Sequence, residues 1–348
     1  MVDIDALLNS AVAKHASDLH LSAESPPVYR VFGEVVRDES PPLGCAEIDD
    51  AFSRLATPRD REALLSHGQV DFSYSLPGVG RFRVNAFKQR GSTALSVRIL
   101  WPKVPSLGEL SLPLVVAELA MKPSGLVIVA GPAGSGKSST LAGMVNLINE
   151  NKTCHVITLE DPIEYLHKHN RSVVNQREVG ADTPSFEEGL GAALRQDPDV
   201  ILVGEVRDLE CVRLALTAAE TGHLVLASLH TTSAAQAVER IIDVFPPHQQ
   251  QQVRVQLASA LAGIVVQQLV PRMDKPGRIV ASEIMTGTPA VRNLIREGRT
   301  HQLYSAIQTG AKYGMRTMEQ SLRDLYEKHL ISMEEFKARS GIDPQRDL

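Results

Sequence analysis

Residues 131–138 read Gly131-Pro-Ala-Gly-Ser-Gly-Lys137-Ser138 and satisfy G-x-x-x-x-G-K-[ST] at every fixed position. The context agrees with the motif. A continuous apolar run at 126–130 precedes it, and a helical pattern occupies 139–148. Strand, glycine-rich loop and helix therefore follow in the order that cradles phosphate. Gly131, Gly134 and Gly136 let backbone N–H groups converge on phosphate oxygens with no Cβ in the way. The expected nucleotide-binding segment is Gly131, Pro132, Ala133, Gly134, Ser135, Gly136, Lys137 and Ser138, with Ser139 just inside the helix. Lys137 is expected to reach the β- and γ-phosphates of ATP, and the Ser138 hydroxyl to ligate Mg²⁺.

Working outward, the residues after about 112 alternate buried-strand runs with helical segments. Apolar runs at 156–159, 200–203 and 224–229 join that at 126–130, and Leu209, Val212, Leu216 and Ala219 mark one helix by spacings of three and four. This grammar predicts an α/β domain with a parallel sheet covered on both faces. The run 200–203 ends at Gly204-Glu205, so Glu205 is the strand-end carboxylate expected to support Mg²⁺. The run 156–159 ends in Glu160-Asp161-Pro-Ile-Glu164, an acidic cluster at the sheet edge where ligand chemistry belongs. His223 and His230 bracket the run 224–229, and His230, at the expected C-terminal end, is the better placed to sense phosphate.

Upstream, residues 1–101 predict a smaller α+β domain. A helix at 4–15 precedes alternation around Leu19 and Leu21, and a hairpin spans 27–37 across Gly33-Glu34. The helical pattern 46–65 is interrupted by Pro58, and two alternating segments flank Leu76-Pro77-Gly78 before a last strand at 93–100. Pro102, Pro105, Ser106 and Gly108 predict a linker over 102–112, leaving 113–348 as the larger domain. From Pro289 onward the pattern is almost entirely helical; within 290–297 Val291, Leu294 and Ile295 share one face, with Arg292, Arg296 and Glu297 off it.

Composition narrows the function classes. A net charge of −5 over 348 residues argues against whole-molecule attraction to nucleic acid, and no basic, aromatic-interleaved groove is visible. Cys45, Cys154 and Cys211 form no CxxC pair, which fits a reducing compartment and gives no zinc site. The acidic start lacks a signal-peptide pattern, and the apolar runs fall far short of the ~20 residues of a membrane helix. A cytoplasmic protein is expected.

Four motifs in order resemble the secretion ATPase superfamily of the GspE/PilT type: the phosphate loop, Glu160-Asp-Pro-Ile-Glu164, Gly204-Glu-Val-Arg-Asp208, and Thr221-Gly-His-Leu through Leu229-His-Thr-Thr232. Ala16-Ser-Asp-Leu-His-Leu21, Gly80-Arg-Phe-Arg-Val-Asn85, Val174-Asn-Gln-Arg-Glu178, Leu216-Thr-Ala-Ala-Glu-Thr-Gly222 and Ala290-Val-Arg-Asn-Leu-Ile-Arg-Glu297 extend the resemblance over nearly the whole chain, toward the retraction ATPases of type IV pili. That resemblance implies a PAS-like N-terminal domain, a RecA-like P-loop ATPase domain and a homo-hexamer hydrolysing ATP with Mg²⁺. By position it implies Glu164 as activator of the attacking water, Glu205 as Mg²⁺ support, and His230 and His223 as a histidine box. It also implies Arg83 and Arg98, with Arg81 and Arg90 as alternatives, reaching a neighbour's γ-phosphate. Expected partners are an inner-membrane pilus platform protein, which would hold the motor at the inner face of the cytoplasmic membrane, and a PilU-like paralogue. Ala133 and Ser139 stand where the family usually has Thr, a mild departure because the loop binds through its backbone. The absence of a tetracysteine zinc site and of a further N-terminal domain favours retraction over extension. The alternatives are an accessory PilU-like ATPase and a RecA-like DNA translocase.

Overall fold

The computed structural model describes residues 3–31, 33–100 and 103–340. Trp101, the last residue of the expected N-terminal domain, and Pro102, the first of the expected linker, lie outside them, as does the polar tail. The chain divides into two compact units, Met1–Lys103 with Pro162–Leu166, and Val104–Asp161 with His167–Leu348. The short segment holding Glu164 thus groups with the first unit although it interrupts the second in chain order.

In the first unit α1 (Ile4–Ala13), β1 (Ala16–Leu21), β2 (Val28–Val31) and β3 (Glu34–Arg37) precede α2 (Cys45–Leu55) and α3 (Pro58–His67). β4 (Gln69–Leu76), β5 (Gly80–Gln89) and β6 (Ser92–Leu100) complete an antiparallel sheet of order β3-β2-β1-β6-β5-β4. The expected helix 46–65 is two helices because Pro58 starts a new one. Pro58 has no N–H to lose at the first helical position, and Thr57 with Asp60 closes a capping box around it. One sheet face buries Leu19, Leu21, Val84 and Val97 against Ile4, Leu8, Ile48 and Phe52 of the helices.

The second unit begins with α4 (Leu114–Ala120), β7 (Gly125–Ala130), α5 (Lys137–Asn151), β8 (His155–Glu160) and β9 (Val173–Glu178). α6 (Phe186–Ala193), β10 (Val200–Val203), α7 (Leu209–Glu220) and β11 (Leu224–Leu229) follow. α8 (Ala234–Asp243) and α9 (Pro247–Ala260) lead into the hairpin of β12 (Leu261–Pro271) and β13 (Arg278–Thr286). The remaining helices are α10 (Pro289–Arg296), α11 (Leu303–Gln308), α12 (Met318–Glu327) and α13 (Met333–Ser340).

The sheet runs β13-β12-β7-β11-β10-β8-β9. β12 through β9 are parallel, and β13 returns antiparallel along β12. The parallel sheet expected from the sequence is present in these six strands, and the antiparallel β13 extends it at the β12 edge. β7 explains why the apolar runs are continuous: Leu126, Ile128 and Ala130 face one core with α7, α8 and α9, whereas Val127 and Val129 face the other with α4 and α5. A strand buried on both faces has no polar side to show.

Candidate active site

The C-terminal edges of β7, β11, β10 and β8 lie side by side, and each delivers one element of the site. β7 runs into the phosphate loop. There Gly131, Gly134 and Gly136 take φ of +148°, +73° and +90°, which side chains with a Cβ rarely adopt. Gly136 caps α5, whose helical residues begin at Lys137, two positions earlier than the sequence pattern indicates. The orphan N–H groups of that first turn and the positive end of the helix dipole face the loop. Pro132, Ala133 and Gly134 are exposed; Ser135 is buried, and Gly136, Lys137, Ser138 and Ser139 are half-buried.

Lys137 Nζ donates to the carbonyls of Gly131 at 2.9 Å and Pro132 at 3.0 Å, and stands 3.5 Å from His230 Nδ1. His230 follows β11, and its Nε2 lies 3.4 Å from Glu205 Oε1. Glu205, just beyond β10, also pairs with Arg207 at 2.5 Å. Lys137, His230 and Glu205 thus form one line of polar contacts along adjoining strand ends. Burial is the largest influence on the Glu205 carboxyl and pushes its pKa up. The hydrogen bond from Arg207 and the charges of His230 and Arg207 together outweigh it, and the pKa lies below the ordinary carboxylate value. Glu205 therefore stays ionised at neutral pH, as a metal-supporting or proton-accepting carboxylate requires.

The acidic cluster divides. Glu160, at the end of β8, accepts from Thr158 Oγ1 at 2.7 Å and Gln176 Nε2 at 3.0 Å. Asp161 and Glu164 are exposed, and Glu164 belongs to the segment grouped with the first unit. His223 is not brought to the loop of its own chain. It precedes β11, at the opposite sheet edge, roughly 20 Å away for a six-residue strand. Its Nδ1 lies 3.0 Å from the Ala218 carbonyl and 3.2 Å from Thr221 Oγ1, a local arrangement closing α7.

Arg83 and Arg98 are direct cross-strand partners of β5 and β6, so both project from the same face of the first unit's sheet. Arg98 Nε is 3.0 Å from Asp18 and Arg83 Nε is 3.7 Å from Asp71. Both remain substantially exposed, which leaves their guanidinium groups accessible. Of the alternatives, Arg81 donates to Ser75 Oγ at 3.2 Å, and Arg90 holds φ +48° at the β5–β6 turn.

One residue beneath the loop escaped the sequence reading. Gln267 of β12 is buried and hydrogen-bonded to both Ser135 and Thr140. It sits in no motif, and only sheet register brings it there. Among the described residues no cluster of three or more His, Cys, Asp or Glu side chains could hold a metal. One hydroxyl, Ser138, and one carboxylate, Glu205, are nevertheless the hard oxygen donors suited to a Mg²⁺ that arrives with its phosphates and retains water.

A mostly parallel sheet with a phosphate loop at its C-terminal edge and an acid on the strand two places away defines a P-loop nucleotide-binding protein. The chain belongs to the type II/IV secretion system protein family, whose model matches residues 78–337. It is similar to the type IV pilus retraction ATPase PilT of Pseudomonas aeruginosa, 47% identical over 341 residues, 98% of this chain and 99% of that one. It also resembles the type IV pilus ATPase PilU of the same organism, 41% identical over 347 residues, 100% of this chain and 90% of PilU. Among solved structures, the pilus retraction motor PilT with bound ADP superposes with a TM-score of 0.91 at 44% identity, covering 100% of this chain and 99% of that one. The fold is that of the secretion ATPases.

Proposed function

We propose that this chain is the ATPase motor of type IV pilus retraction, hydrolysing ATP as a Mg²⁺-dependent homo-hexamer. The observation that carries the reading is the contact line Lys137–His230–Glu205 at the sheet edge, in a chain collinear with a retraction ATPase over nearly its full length. In this scheme the loop N–H groups and Lys137 hold the phosphates, and Ser138 and Glu205 hold Mg²⁺, which supplies charge neutralisation of the transferring phosphoryl group. His230, poised between Lys137 and Glu205, registers the γ-phosphate. Glu164 accepts the proton of the attacking water. Arg83 and Arg98 serve a neighbouring subunit's γ-phosphate, for which their exposed shared face is suited.

Hydrolysis does mechanical work only if the nucleotide states favour different arrangements of the protein. The division between the two units falls at Lys103–Val104, inside the expected linker 102–112, and we place the hinge there. No helix of the described residues is long and apolar enough to cross a membrane. A cytoplasmic motor docked on an inner-membrane platform protein, with a PilU-like paralogue as companion and no direct nucleic-acid partner, fits that fact and the net charge of −5. Phosphate release by the purified protein tests the enzymatic core. It should require Mg²⁺, stop on chelation with EDTA and resume on adding Mg²⁺ back; EDTA-insensitive turnover would contradict the metal's role.

A further inference from the structure

β12 places Val266 beside Ala130, the last strand residue before the phosphate loop. The next residue, Gln267, is 2% exposed. Its Nε2 donates to the Ser135 carbonyl at 2.9 Å, and its Oε1 accepts from the Thr140 hydroxyl at 2.9 Å. Ser135 and Thr140 are themselves buried. The packing around them is closed: a Cβ on Gly136 would come within 3.2 Å of the Gln267 amide nitrogen, and one on Gly131 would overlap the Gln267 carbonyl oxygen.

The amide cannot be reversed. Turned over, its oxygen would face the Ser135 carbonyl oxygen, and two acceptors would meet with no proton between them. The consequence reaches the phosphate side through the peptide plane. A trans peptide points its C=O and the following N–H in opposite directions. A Ser135 carbonyl held toward β12 therefore aims the Gly136 N–H away from β12. Thr140 lies in the first turn of α5, so the second bond locks the helix start to the same anchor.

We infer that Gln267 is a positioning residue for nucleotide phosphate, fixing the Ser135–Gly136 peptide and the first turn of α5 in the orientation that presents loop N–H groups to the ligand. This rests on the reading of residues 131–138 as a nucleotide site. The same hairpin supports the neighbouring element. Gln267 lies opposite Ser282 of β13, and the adjacent Glu283 accepts from the N–H of Ala234 at 2.7 Å, at the start of the helix that follows His230. The loop bearing Lys137 and the segment after His230 are thus braced from one pair of strands.

The test uses the full-length protein with three substitutions: Gln267→Glu, Gln267→Met and Thr140→Val. Measured quantities are the affinity for a fluorescent ADP analogue, KM and kcat for ATP, and thermal unfolding without nucleotide. Gln267→Glu keeps an oxygen for Thr140 but sets a second against the Ser135 carbonyl. It should weaken ADP binding and raise KM roughly tenfold, with a smaller effect on kcat. Its defect should ease at acidic pH, where a protonated carboxyl again donates to Ser135. Gln267→Met, which removes both bonds at similar volume, should show a comparable but pH-independent loss. Thr140→Val, which cuts the bond to α5 but leaves the Ser135 tether, should show a smaller loss of about threefold. Affinity and KM within twofold of wild type in a folded Gln267 variant would overturn the inference, as would losses that merely follow the melting temperature across all three variants. If the wild type binds no nucleotide, the site reading itself fails, separately from the role of Gln267.

Discussion

Gly131→Ala and Gly134→Ala change the same atom in the same loop, yet the structure gives them different costs. At Gly131 the backbone has φ +148°. A Cβ there would lie 2.5 Å from Ser135 Oγ and closer still to the Gln267 carbonyl oxygen, a strand atom that cannot rotate aside. Backbone strain in such a region costs about 1–3 kcal/mol. Forcing a carbon into a filled site costs about 1–3 kcal/mol more. The sum centres near 4 kcal/mol, which for a unit of this size lowers the melting temperature by roughly 8–16 °C. At Gly134, φ is +73° and nothing lies within 4 Å of the added carbon. Only the left-handed penalty remains, about 1–2 kcal/mol, or roughly 2–8 °C. Thermal unfolding of both variants without nucleotide, followed by circular dichroism, measures the difference. Equal melting temperatures would refute the packing of the loop against β12, and with it the placement of Gln267.

Lys137→Ala should abolish hydrolysis and weaken nucleotide binding, whereas Glu164→Gln should reduce turnover by about 10²–10⁴ while leaving affinity near wild type. Turnover and affinity measured on the same preparations separate the two, and wild-type turnover in Glu164→Gln would move the base to Glu205. The Glu205 cluster also predicts a pH dependence. Its folded-state pKa is lowered, so its contribution is complete above the unfolded value near 4.3 and is lost as pH falls through the lower folded value. Glu205→Gln should therefore be less stable than wild type at neutral pH, by no more than about 1 kcal/mol because Arg207 is well exposed. The gap should close as pH drops below about 4. Denaturant titrations at neutral and acidic pH check this, and a gap independent of pH would show that the carboxylate makes no net favourable contacts.

The phosphate loop was legible because each fixed position answers a separate physical demand: two glycines at positive φ, one cation and one hydroxyl. The four buried parallel strands of the inner sheet were legible for a related reason, since a strand covered on both faces spells a continuous apolar run. β12 and β13 were not. The run beginning at Leu261 continues directly from α9 with no Gly or Pro before it, and length and turn signals are what separate a buried strand from a helix. Losing β12 meant losing Gln267, whose contacts cross 127 and 132 sequence positions. His230 was distinguished from His223 by its end of the strand, and the structure puts the two at opposite sheet edges. In α10 the periodicity put Val291, Leu294 and Ile295 on the inner side; Val291 and Ile295 are fully buried and Leu294 is half-buried. It could not show that Arg292, expected off that side, donates to the Leu261 carbonyl at 3.2 Å. Nor could it rank Ile295, a core residue whose truncation would cost about 2–5 kcal/mol, against the half-buried Leu294, whose truncation would cost less.

Counting surface pili on cells whose only copy of this gene carries Lys137→Ala tests the central claim most directly. The substitution silences the phosphate site and leaves the rest of the chain in place. A retraction motor without hydrolysis leaves assembled filaments standing, so the cells should carry more pili than wild type and fail to move by twitching. Bald cells would mean that the protein drives extension, and normal pilus numbers with normal motility would mean that its ATPase does not power retraction.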